Sequence, residues 1–254
     1  MIRSLLALLL TVPLSVLAAE PAQFAPVAQL LSGGVPLEHG LKLDLPSVSE
    51  DGSAVAVGIQ FDSKQLQPGD RLASVHLFAT ENPRPELISF RLLSEHVLAD
   101  FNTRIRLSES QQVIAVALSE QGHSWISSKE VRVTISGCLV PDAQQETLAS
   151  MQDPRIALPR RIKSGEPVEL RTLIKHPMET GLRQTADGKL VAQNLVQTLQ
   201  LAIDKQPALD VQFASGTAAN PYVRLVLQGK SKELEFRWQE QQGVEVIEVR
   251  QLSL

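Results

Sequence analysis

The chain holds one cysteine, Cys138, near its middle. Once ionised, a thiol is a strong nucleophile and can hold another sulfur atom covalently. Cys138 follows Val131-Arg132-Val133-Thr134-Ile135-Ser136-Gly137, a strand-like run closed by a glycine. A single cysteine forms no internal disulfide. Its thiol is therefore buried and inert, paired with another molecule, or used for chemistry. Residue type alone favours burial as a small hydrophobe. Position points the other way, because Cys138 lies beyond the alternating Val131, Val133 and Ile135, and Gly137 frees the backbone just before it. An accessible thiol without a fixed base suits a carrier, whose cargo is loaded and processed in other proteins' active sites.

The remaining chemistry-bearing residues do not converge. The histidines are His39, His76, His96, His123 and His176, and no two stand at the helical or hairpin spacing of metal ligands. His76 lies in an apolar run and reads as a core or interface residue. His176 precedes Pro177 in a loop and reads as loop-shaping. No glycine-rich phosphate loop, Cys-x-x-Cys-His haem attachment or Gly-x-Ser-x-Gly elbow is present. A cysteine-protease reading needs a His base beside Cys138, which sequence does not establish. Trp125 and Trp238 read as core, and the acids around Glu50, Asp51 and Asp62 as turns. The expectation is no catalytic residues, no metal and no cofactor.

The elements that must position Cys138 are strands. Period-two alternation places successive side chains on opposite faces. It recurs in Leu41 to Leu45, Ala54 to Phe61, Phe101 to Leu107 and Val131 to Ile135. Ser74 to Phe78 and Val113 to Leu118 are more continuously apolar, as in a sandwich interior. Glu50-Asp51-Gly52, Pro68-Gly69-Asp70, Asn82-Pro83-Arg84-Pro85 and Gln121-Gly122 supply turns. About seven short strands in about 100 residues read as an immunoglobulin-like sandwich.

The second half repeats the pattern through Val168 to Ile174, Leu199 to Ile203, Leu209 to Phe213, Tyr222 to Leu227, Leu234 to Trp238 and Val244 to Val249. Ala186-Asp187-Gly188-Lys189 reads as a hairpin turn. Helix signal is confined to Gln23 to Leu31, ended by Gly33-Gly34, and to a turn or two over Gln144 to Met151. The fold class is all-β: two immunoglobulin-like antiparallel β-sandwich domains in tandem. Residues 20–138 form the first, 139–155 a proline-bearing linker and 156–254 the second.

The N-terminus sets the compartment. Arg3, the apolar run Leu5 to Leu14 and the small residues around Ala18-Ala19 have the layout of a secretory signal peptide over 1–19. The run is short for a membrane span. The expected location is the periplasm, with no membrane association after signal removal. A hydrophobic fraction of 43% supports a real core, and a net charge of -4 without a basic block excludes a phosphate-neutralising nucleic-acid surface.

Several of these stretches carry a resemblance. Leu41-Lys42-Leu43-Asp44-Leu45-Pro46, Val75-His76-Leu77-Phe78-Ala79 with Asn82-Pro83-Arg84-Pro85-Glu86, Thr103-Arg104-Ile105-Arg106-Leu107 and the run into Gly137-Cys138 resemble SoxY. Lys163-Ser164-Gly165-Glu166-Pro167-Val168-Glu169, Arg171 to Gly181 with its His-Pro-Met-Glu-Thr-Gly block, and Ala219-Asn220-Pro221-Tyr222 resemble SoxZ. SoxY and SoxZ are the subunits of the sulfur-oxidation carrier, and here stretches resembling each stand in one chain.

The resemblance implies two sandwiches packed as the separate subunits pack. It also implies that Cys138 is the carrier cysteine on a flexible arm at Gly137, holding thiosulfonate or persulfide adducts. It implies visits to sulfur-oxidation enzymes, including a c-type cytochrome that loads the carrier and a hydrolase that releases sulfate, while the carrier is not itself an enzyme. Fused carriers of this kind are also associated with quinoprotein alcohol dehydrogenase systems. That association frames the alternative of a binding or assembly module with Cys138 incidental. The chain departs from the glycine-rich terminal arm of separate SoxY, because Leu139-Val140-Pro141 follows the cysteine and the chain continues. Fusion raises the effective concentration of one half at the other.

Overall fold

A computed structural model describes residues 20–136, 150–159, 165–185, 187–229 and 233–252. The first half contributes a helix, α1 (Ala25–Leu31), and eight strands. These are β1 (Leu41–Asp44), β2 (Val48–Asp51), β3 (Val55–Phe61), β4 (Leu72–Ala79), β5 (Glu86–Leu92), β6 (Val97–Ile105), β7 (Gln111–Ser119) and β8 (Ser124–Ile135). The second half contributes β9 (Gln152–Ala157), β10 (Val168–Lys175), β11 (Val196–Ile203), β12 (Gln206–Phe213), β13 (Tyr222–Leu227), β14 (Glu233–Glu240) and β15 (Glu245–Gln251). The all-β class read from alternation is what the chain adopts.

The two halves are fused more intimately than tandem sandwiches need to be. One layer is a six-stranded sheet in the order β1-β3-β6-β13-β10-β9, and the other is a nine-stranded sheet in the order β15-β14-β11-β12-β5-β4-β7-β8-β2. Each sheet runs through both halves. The seams are β6 with β13, from Val97↔Leu227 to Thr103↔Val223, and β5 with β12, from Ile88↔Phe213 to Leu92↔Leu209. All pairings are antiparallel except β2 with β8. The final residues of the expected linker, Gln152 to Arg155, belong to β9, which borders β10.

A single apolar cluster spans both halves between the layers. Beside the seam, Phe90 of β5 and Phe101 of β6, both from the first half, stack between the two layers at 4.2 Å and 4°. Polar bonds close the seam on either side. Thr103 Oγ1 donates to the Tyr222 carbonyl at 2.7 Å and Thr217 Oγ1 to the Leu87 carbonyl at 2.8 Å. Arg224 pairs with Asp100 at 2.7 Å and Arg91 with Asp210 at 2.5 Å.

The continuous apolar runs in β4 and β7 have a specific cause. Their outward residues Phe78, Ile114 and Val116 lie under α1, whose Val27 and Leu31 are buried against them with Ile126. Each buried aliphatic there contributes about 1.5–3 kcal/mol. Pro26 sits in the first turn, where its missing N–H costs nothing, and Ser32 (φ 50°) and Gly33 (φ 84°) end the helix in the left-handed region.

Candidate functional site

β8 carries the chain toward Cys138. Its first part is inserted beside β7, from Leu118↔Ser124 to Gln111↔Val131. Past the end of that ladder it is held by β2, running parallel, with Val48↔Arg132, Ser49↔Val133 and Asp51↔Ile135. The Gly52 N–H donates to the Ile135 carbonyl at 2.9 Å. Ser110 Oγ accepts from the Val133 N–H at 3.0 Å and donates to the Val133 carbonyl at 3.3 Å. The strand is thus fastened to within three residues of the cysteine. Ser136 is the last residue described before 137–149, so Gly137 and Cys138 lie outside the described residues, as does most of the helical turn expected over Gln144 to Met151.

The chain is described again at Ser150, where it is tied to a buried carboxylate. Glu240, 1% exposed at the end of β14, accepts from Ser150 Oγ at 2.7 Å and from the Met151 N–H at 3.1 Å, both on Oε2. Its Oε1 accepts from Asn194 Nδ2 and faces His176 Nε2 at 3.6 Å. His176 is fully buried, and its Nδ1 accepts the Met178 N–H at 3.0 Å. The ring is therefore the tautomer with its proton on Nε2, toward the carboxylate. Arg106 of the first half donates to the carbonyls of Pro177 and Met178 at 2.8 and 2.7 Å.

One knot thus gathers three things: the return of the chain after the cysteine segment, the His-Pro-Met-Glu-Thr-Gly block and the first half. Burial pushes His176 below its ordinary pKa, and Glu240 only partly offsets that. Burial alone would raise Glu240, but the bonds from Ser150, Asn194 and the Met151 N–H hold it below its ordinary value.

Registers place both described ends on the same pole of the sandwich. Glu240 pairs with Val196, Thr198 with Gln212, Phe213 with Ile88, Leu77 with Ala115 and Gln111 with Val131, all toward one end of the sheet. From β14 to β8 is six strand steps, roughly 29 Å at the usual spacing. Ser136 leaves from the first half and Ser150 arrives in the second.

Elsewhere the structure brings together one arrangement that looks catalytic and is not. Ser119 Oγ and Asp70 Oδ2 both approach His123 Nδ1, at 3.5 and 2.9 Å. A relay needs the nucleophile and the orienting carboxylate on opposite ring nitrogens. Asp70 instead accepts the N–H groups of Arg71 and Gln121 and clamps a turn. His76 is half-buried, bonded to Ser74 Oγ at 2.9 Å, with its pKa pushed down by burial. Among the described residues no three His, Cys, Asp or Glu side chains gather to hold a metal, and no helix is long and apolar enough to cross a membrane.

The cysteine-bearing segment thus joins the two halves in sequence, from Ser136 at the end of β8 to Ser150 beside Glu240. Two family models match in tandem: sulfur oxidation protein SoxY over residues 28–138 and sulphur oxidation protein SoxZ over 155–248. The chain belongs with these families as a fused SoxYZ-like protein. Among solved structures it is similar to the sulfur carrier protein SoxY from Chlorobium limicola f thiosulfatophilum, at 19% identity and TM-score 0.36, over 43% of this chain and 90% of that one. It is also similar to a superoxide reductase (neelaredoxin) from Ignicoccus hospitalis, at 17% and 0.34, over 37% and 80%. A putative superoxide reductase from Thermotoga maritima follows at 14% and 0.33, over 38% and 86%. No curated protein matches.

Proposed function

We propose that this protein is a periplasmic, non-enzymatic carrier that holds sulfur intermediates covalently on Cys138 and presents them to sulfur-oxidation partners. The observation that carries the reading is the SoxY match, which extends to residue 138 and is followed by SoxZ in the same chain. Loading with thiosulfate forms a Cys138 Sγ–S bond and releases the thiol proton and two electrons. The electrons require an oxidising partner, for which a c-type cytochrome is the fitting class. Hydrolysis of the terminal sulfonate by a second partner releases sulfate and leaves a persulfide.

The anchoring of β8 sharpens how such a carrier works. Three residues of chain separate Cys138 from Ile135, the last residue of β8, and that length of chain spans at most about 11 Å. A partner must therefore dock on this pole of the first half to reach the thiol. Intact-mass spectrometry of the mature protein, after incubation with thiosulfate and the oxidising partner, tests the proposal. A gain of one thiosulfate unit, abolished by Cys138→Ser, is expected. An unmodified Cys138, together with full sulfur-oxidation function of Cys138→Ser, overturns it.

A further inference from the structure

Among the described residues the two sheets end in four edges: β1 and β9 on one, β15 and β2 on the other. An open edge offers unpaired N–H and C=O groups to another strand, and proteins blunt such edges with short strands, proline or bulges. Three of these edges are blunted. β1 and β2 are four residues long. β9 carries Pro154 and a left-handed Asp153 (φ 48°), and its register with β10 is interrupted.

β15 is neither short, proline-bearing nor bulged, and of the usual protections it carries only charge, as Glu248 and Arg250 on its inward face. Its seven residues contain no Pro, Gly or Lys, and they hold an unbroken register with β14 from Glu245 to Gln251. Its outward face shows Ile247 and Val249, 44% and 46% exposed. On its inward face, beside the partly buried Val246, Arg250 pairs with Glu248 at 2.6 Å. The hydrogen-bond phase is fixed by the Glu240 N–H, which donates to the Val244 carbonyl at 2.8 Å. Bonded and non-bonded pairs alternate along an antiparallel ladder, so the amides of Ile247, Val249 and Gln251 face the open edge.

We propose that β15 is a self-association edge, on which a second copy of this chain adds its own β15 antiparallel about a two-fold axis through Val249. In that register Val249 faces the second copy's Val249, and Ile247 faces its Gln251. Glu248 then faces the second copy's Arg250, and Arg250 its Glu248. The symmetry forms both ion pairs at once and joins the apolar stripes. Shifting the axis to Ile247–Val249 pairs would set Glu248 against Glu248. This self-complementarity of Glu248-Val249-Arg250 is what selects a second copy over an unrelated strand.

Sedimentation equilibrium of the mature chain tests this, with a concentration-dependent rise toward twice the monomer mass expected. Glu248→Arg alone and Arg250→Glu alone each set like charges opposite in the homodimer and weaken it about tenfold or more. An equimolar mixture of the two variants restores opposite charges and recovers the dimer, which damage to the fold would not allow. Val249→Pro removes an N–H that points away from β14, and should abolish dimerisation while circular dichroism retains the native β spectrum. A wild-type chain that stays monomeric, single variants that dimerise like wild type, or a mixture that stays monomeric would each overturn the proposal.

Discussion

Glu240 and His176 show how two polar side chains can sit where a core is expected. A buried carboxylate is tolerated because donors surround it, so removing it strands those donors. Glu240→Ala should cost about 3 kcal/mol in urea unfolding, and Ser150→Ala, which removes one donor, about 1 kcal/mol. The pH dependence follows from the direction of the shifts. His176 and His76 both have depressed pKa values in the fold, so below the ordinary histidine value of about 6.5 the unfolded chain binds protons that the folded chain refuses. Stability is therefore expected to fall as pH drops from about 7 to about 5, and further below the ordinary glutamate range as Glu240 loses its charge. His176→Asn keeps an acceptor for the Met178 N–H and should flatten the upper part of this profile, leaving the His76 share. An unchanged slope in urea midpoints measured across that range would refute the assignment.

At the scale of elements, the end of β8 is held largely by one hydroxyl and one short parallel strand. Ser110→Ala should cost at most about 1 kcal/mol globally, yet speed hydrogen exchange at the Val133 amide well beyond that at Val131, which lies within the β7 ladder. Equal protection at both amides after the substitution would refute this role of Ser110. Most strands were legible from alternation, and so was α1, because its capping residues end it where the pattern stops. β2 and β5 lie outside the stretches that read as strands: Glu50-Asp51 before Gly52 has turn chemistry yet closes β2, and β5 follows a proline-rich turn. β9 buries little and tolerates Pro154 at a sheet edge. The seams were invisible, because alternation tells which face is buried and not which strand lies alongside. The knot did leave a signal in phase. Leu234, Phe236 and Trp238 point inward, and Glu240 continues their parity. His176 likewise continues Val168, Leu170, Thr172 and Ile174. The residue type of each argued for the surface, and the period argued correctly for the interior. Cys138 stands out by type and position alone and lies outside the described residues.

Both sheets and the larger apolar cluster between them run through the two halves, so neither half should unfold without the other. Trp125 reports on the first half and Trp238 on the second, both 1% exposed or less. The single-tryptophan variants Trp125→Phe and Trp238→Phe should therefore each lose fluorescence in step with their own circular dichroism, in a single transition. Separated midpoints within one variant would show two independent units. Phe101→Ala, which removes the stack beside the seam, should cost about 3–5 kcal/mol and lower both signals together. The placement of β8 has a mechanical consequence as well. A partner that tugs on Ser136 along the strand loads the β7 and β2 ladders in shear. Ladder bonds lie across the strand, so many must yield at once instead of opening singly like a zipper. The end of β8 is thus built as a tow-point, where a pull along the strand at Ser136 is borne by the whole ladder and does not unravel the sheet behind it.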